Sequence, residues 1–84
     1  MDRATLDRAL LQAHEQADSI ALVQLYSLAA DQQETAGHVD AACFYLTHAF
    51  VFALEAGLPE AAVLNRRLAA HGRVDLLPED TRPG

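Results

Sequence analysis

Eighty-four residues, 51% of them hydrophobic, suffice for one small domain with a core and argue against disorder over most of the chain. All six cations are arginine, twelve acids leave a net charge of −6, and no cation lies between Arg8 and Arg66. That field repels phosphate backbones and anionic lipid surfaces, and the lack of lysine removes Schiff-base chemistry and any Walker-type phosphate loop, so these classes are set aside.

A single cysteine, Cys43, cannot close an internal disulfide, which speaks against a secreted mini-protein scaffold. The first residues, Met1-Asp2-Arg3-Ala4-Thr5-Leu6-Asp7-Arg8, lack the apolar core of a signal peptide. The longest nearly apolar run, Ala41 to Leu54, is short for a bilayer span and contains Thr47 and His48. A cytoplasmic location is the expectation.

Four helices and a tail are predicted. Leu6, Leu10, Ala13 and Ala17 form one apolar stripe over about Thr5–Gln16, with Asp2 or Thr5 as its cap. Asp18 or Ser19 opens a second helix that runs to about Ala36 and stops at Gly37. Gln16 to Ser19 holds neither Gly nor Pro, so one long helix through that join is an alternative. In the second helix Gln24, Ser27, Asp31 and Glu34 share a narrow polar wedge. The wide apolar arc left over calls for neighbours on two sides.

The third helix, about Val39–Ala56, carries a core stripe of Val39, Ala42, Leu46, Ala49, Phe50 and Ala53, flanked by Cys43 and Leu54. Ala41, Tyr45 and Phe52 point roughly opposite, and Asp40, Phe44, Thr47, His48, Val51 and Glu55 form a mixed strip between the two sets. The fourth helix runs from Pro59 to about His71, where Gly72 stops it. Its expected inward residues are Ala61, Leu64 and Leu68, with Glu60, Asn65, Arg66 and Arg67 toward water. Val74, Leu76 and Leu77 are expected to lie back on the bundle, so that one domain covers residues 1–77 and 78–84 form a flexible tail.

The chain also repeats itself. Ala36-Gly37-His38-Val39-Asp40-Ala41-Ala42 recurs twenty residues later as Ala56-Gly57-Leu58-Pro59-Glu60-Ala61-Ala62. Each copy reads as a left-handed glycine ending one helix, followed by an acid in the first turn of the next. A chain punctuated in this way is a stack of short antiparallel helices.

Gly37, Ala42, Leu46 and Ala49, together with Tyr26, Ala29 and Ala30, resemble the central hairpin of a tetratricopeptide repeat over about Ser19 to Ala56. Gln33 stands where that family commonly has tyrosine. The resemblance implies an all-α fold of about four antiparallel helices in a TPR-like hairpin bundle. It implies binding of another protein or peptide as the function, and it carries over no catalytic residue, cofactor or metal ligand. With fewer than two repeat units, such a stack closes as a compact bundle or pairs with a second copy. Family members that clamp peptide carboxylates do so with basic and amide groups, whereas this chain has only Gln24, Gln32 and Gln33 in reach, so a basic or apolar partner fits its acidic body better.

Candidate chemistry is sparse. His14, His38, His48 and His71 invite a metal hypothesis, but Asp7, His14 and Asp18 are spread over more than about 10 Å of helix and cannot converge on one ion. Cys43 reads as a small core residue with no base beside it. The expectation is a non-catalytic module, with a helical-bundle enzyme subunit or metal-binding bundle as the alternative. The partner surface is assigned to Phe44, Tyr45, His48, Val51, Phe52 and Glu55, covered either by the protein's own helices or by another chain.

Overall fold

The computed structural model describes residues 1–74 and contains four helices: α1 (Arg3–Glu15), α2 (Ser19–Thr35), α3 (Val39–Ala56) and α4 (Glu60–Ala70). The fold is all-α, and there is no strand among the described residues. Leu76, Leu77 and the tail assigned to residues 78–84 lie outside the described residues.

Helix starts follow the capping chemistry of the sequence. The Asp2 carboxylate accepts the Thr5 N–H at 2.7 Å, and that of Asp18 accepts the Ala21 N–H at 3.1 Å. The Thr5 N–H bond holds the exposed Asp2 carboxyl below its ordinary pKa. Helices α3 and α4 have no side-chain cap, but each places an acid, Asp40 or Glu60, in its first turn against the positive end of the helix.

Helix ends obey one rule. Ala17, Gly37, Gly57 and Gly72 all take positive φ, at 52°, 79°, 68° and 72°. The next residue in each case sends its N–H five residues back: Asp18 to Ala13, His38 to Gln33, Leu58 to Ala53 and Arg73 to Leu68, at 2.8–3.0 Å. These are Schellman closures, which satisfy the orphaned last carbonyls. The first three left-handed residues fall at 17, 37 and 57, so the twenty-residue punctuation has a third copy at the α1–α2 join. Ala21, Ala41 and Ala61 are in register with it. The helix therefore breaks at Ala17, which leaves the α1 stripe and becomes exposed.

Each helix packs on its neighbour in sequence: α1 on α2, α2 on α3 and α3 on α4, with the α2–α3 contact the most extensive. The result is a slab of 46 × 31 × 14 Å. One core joins Val23 and Ala30 to Cys43, Leu46, Ala49, Ala53, Ala61, Leu64 and Leu68. A second joins Leu6, Leu10 and Ala13 to Leu22 and Ala29. Tyr26, Tyr45 and Phe52 pack against both and staple them together.

Three expectations are corrected. Val39 and Leu54 are exposed, because the buried line of α3 is Ala42, Cys43, Leu46, Ala49 and Ala53, and they sit at its edges. Asn65 is 3% exposed rather than facing water, because 61, 64, 65 and 68 form one inward stripe of α4. No buried side-chain polar atom among the described residues lacks a hydrogen-bond partner. Arg67 is drawn out of bulk solvent by acids on α2.

Left-handed backbone costs a non-glycine residue about 1–2 kcal/mol, while glycine's extra freedom in the unfolded chain takes back about 0.5–1 kcal/mol. Ala17→Gly should therefore raise stability by about 0.5–1 kcal/mol in urea unfolding. Gly57→Ala should lower it by about as much, since a Cβ there meets nothing within 4 Å and only the backbone preference changes.

Candidate interaction surface

The apolar residues of α3 divide by size. Its buried line is made of small side chains and Leu46, so the bulky ones are set aside from it. Tyr45 and Phe52 turn toward α1 and α2 and become partly buried in the two cores. Phe44 and Val51, two turns apart, stand outward at 58% and 43% exposure. Glu55 is exposed one turn beyond Val51, and His48 is half-buried between them. Of the six residues assigned to the surface, Phe44, His48, Val51 and Glu55 make the open strip, while Tyr45 and Phe52 form its floor and flank.

Two open concavities lie along this strip. The first, of about 330 Å³, is lined by Asp40, Cys43, Phe44, Thr47, His48 and Arg73. The second, of about 240 Å³, is lined by Thr47, His48, Val51, Phe52 and Glu55, and its wall is almost wholly apolar. They meet at Thr47 and His48. Arg73 reaches back from beyond α4 to pair with Asp40 at one end of the strip, and that bond holds the exposed guanidinium above its ordinary pKa.

Behind the strip a row of rings crosses three helices. His14 of α1 lies 2.8 Å through Nε2 from the Tyr26 hydroxyl of α2, and its ring meets Phe52 of α3 edge-on at 5.7 Å. Tyr26 stacks on Phe52 at 6.1 Å and tilts against His48 at 5.1 Å, and His48 in turn contacts Phe44 at 4.5 Å. Burial, with Tyr45 adding, pushes the Tyr26 phenol above its ordinary pKa. His48 Nδ1 is 2.9 Å from the Phe44 carbonyl, an acceptor only, so Nδ1 carries the proton and Nε2 is the acceptor of the neutral ring. His14 is exposed, and its contacts tie α1 to both following helices.

The other side chains with chemistry are engaged in the fold. Arg67 of α4 pairs with Asp31 and Glu34 of α2, both at 2.6 Å, and His71 Nε2 lies 2.8 Å from the other Glu34 oxygen. Burial opposes the Arg67 charge, yet its bonds to Glu34 and Asp31 keep its pKa above the ordinary value. The bonds from His71 and then Arg67 hold the Glu34 carboxyl below its own. Asp31/Glu34 and Arg67/His71 are each spaced to share a helix face and are opposite in charge, which is the signal in the sequence that could have paired them. His38 caps its turn through Nδ1 to Gln33 Oε1 at 3.0 Å. The Thr47 hydroxyl donates to the Cys43 carbonyl. Among the described residues no Ser, Thr or Cys is hydrogen-bonded to a histidine, and no three of His, Cys, Asp and Glu gather as a metal site would require.

By length and composition α3, with a mean hydropathy of 1.3 over 18 residues, reaches the lower limit for a membrane span. In the fold 28% of this segment is buried, including the line that packs with α2 and α4. Comparison with family models, with curated proteins and with solved structures returns no match.

A carboxyl with a lowered folded-state pKa adds stability that is complete above its ordinary value, 4.5 for Glu34, and fades as pH falls through the lower folded value. Wild-type protein should therefore lose unfolding free energy below about pH 4.5 more steeply than Glu34→Gln, which is less stable at pH 7 and flatter in acid. Urea midpoints from pH 7 to pH 3 read both effects.

Proposed function

We propose that this chain is a non-catalytic, cytoplasmic protein-interaction module whose central hairpin is TPR-like and whose working surface is the strip Phe44, His48, Val51 and Glu55 on α3. The observation that carries this reading is the outward placement of Phe44 and Val51 on the helix whose other side already supplies both cores. Phe44 meets the Tyr45 and His48 rings of its own helix, and both it and Val51 keep much of their surface open to solvent. Exposed apolar side chains grouped around a concave, largely apolar surface are what a partner buries first.

The TPR-like part of the reading rests on the hairpin alone. Ala30, Leu46 and Ala49, three of the residues that carry the resemblance, are buried in one core shared by α2 and α3. The spacing of twenty residues per helix and turn is longer than that family's, so nothing is carried over beyond the hairpin. A second copy of the chain and a basic or apolar segment of another protein are both candidate occupants of the strip. Phe44 and Val51 are the residues to change, because Phe52 is shared between the cores and its loss would disturb the fold.

The test is a photo-crosslinking amino acid placed at position 44 or 51 in cells making the protein, with position 11 as control. Leu11 is equally exposed, at 61%, but lies on α1 away from the strip. Discrete adducts from 44 and 51 that are missing from 11 are the expected result, and an adduct of twice the chain mass would identify self-association. Identical patterns at all three positions, or none, would overturn the reading.

A further inference from the structure

We infer that the α3 strip takes a cationic amphipathic helix of another protein, with two apolar anchors seven residues apart and an arginine or lysine placed over Glu55. The inference rests on the interaction-module reading and specifies its partner.

Spacing comes first. Phe44 and Val51 mark the two concavities and are seven residues apart on one helix, about 10.5 Å along its axis. A partner helix repeats a side chain on one face at the same seven-residue step, and therefore at the same distance. An extended segment repeats on one face at about 6.6 or about 13 Å and does not match the Phe44–Val51 step. The geometry selects a helix.

Charge comes second. The C-terminal end of α3 has no basic residue in its last turn, so the negative end of its dipole is uncompensated, and Glu55 adds a full charge beside it. At the C-terminus of α2, by contrast, Arg67 and His71 of α4 sit on Glu34. At the other end of the strip Asp40 is already paired with Arg73. The strip therefore carries its apolar residues Phe44 and Val51 on either side of Thr47 and His48, is satisfied at one end and is open to a cation at the other. A second copy would bring another chain of net charge −6 to this surface, which disfavours it as the occupant. An antiparallel partner places its own positive N-terminal end near Glu55, so its cation precedes the first anchor by four residues.

The probe is a fluorescent 18-residue alanine–glutamine helix with Arg at position 4 and Leu at positions 8 and 15, titrated with the full chain and followed by anisotropy. One control peptide carries Glu at position 4, and another moves the second Leu by two residues, off the shared face. The expected result is saturable binding that weakens at least tenfold in each control and falls with salt. Glu55→Gln should abolish the preference for Arg over Glu, and Phe44→Ser should weaken every peptide. Equal binding of the shifted or the acidic peptide overturns the inference. If no peptide binds while crosslinks from 44 and 51 persist, the cationic-helix inference fails and the interaction reading stands. If both are absent, both fail.

Discussion

The fold depends on a seam of alanines. Where α2 meets α3, Ala30 shares one core with Ala49 and Ala53, beside Val23, Cys43 and Leu46, while Ala29 turns to the core shared with α1. Side chains of this size let two helices approach closely, and dispersion then accrues along the whole length of the contact. The rings that pack against this core, Tyr26, Tyr45, Phe50 and Phe52, are only partly buried. Of the aromatic residues of α3, Tyr45 and Phe52 pack against both cores, Phe50 packs partly buried against the first, and Phe44 stands outward with Val51. The exposed strip is the counterpart of the tight seam: the same helix cannot keep a small-residue face against α2 and also bury every large side chain it carries.

The outer helices are attached in different ways. On α1 only Leu6, Leu10 and Ala13 are buried, and His14 adds the tie to Tyr26 and Phe52. On α4 the inward stripe Ala61, Leu64, Asn65 and Leu68 meets α3, while Arg67 and His71 reach over to α2. His14–Phe52 and the Arg67/His71 cluster both join helices two apart in sequence, one through rings and the other through charges. Partly exposed ion pairs contribute little each, so the clamp on Glu34 matters as a network that fixes where α4 lies. The strip on α3 is thus held between two neighbours, with Arg73 closing its end.

Much of this is legible in the sequence where local chemistry is decisive. Gly37, Gly57 and Gly72 end helices because a left-handed residue is needed there, and Asp2 and Asp18 start them because an acid can accept two or three residues into the helix. Ala17 hides the same turn behind a residue that enters it at a cost, and only its register with Gly37 and Gly57 betrays it. Asn65 misleads because its polarity outweighs its position on the inward stripe, and Arg67 because its partners are thirty-odd residues away. The mixed strip is readable from its angular separation from the alanine line. Which aromatics remain outside is settled by α1 and α2, whose placement no local pattern specifies, and so Tyr45 and Phe52 are grouped with Phe44 until the packing separates them.

Equilibrium urea unfolding of a Phe44→Ser, Val51→Ser double variant shows whether the outward apolar side chains of α3 support the fold. Exposed positions away from caps and cores change stability by no more than about 0.5 kcal/mol each, so a midpoint within about 1 kcal/mol of wild type, with the slope unchanged, is the expected result. A loss of several kcal/mol, the scale of a core truncation, would contradict the account and return Phe44 and Val51 to the protein's own core.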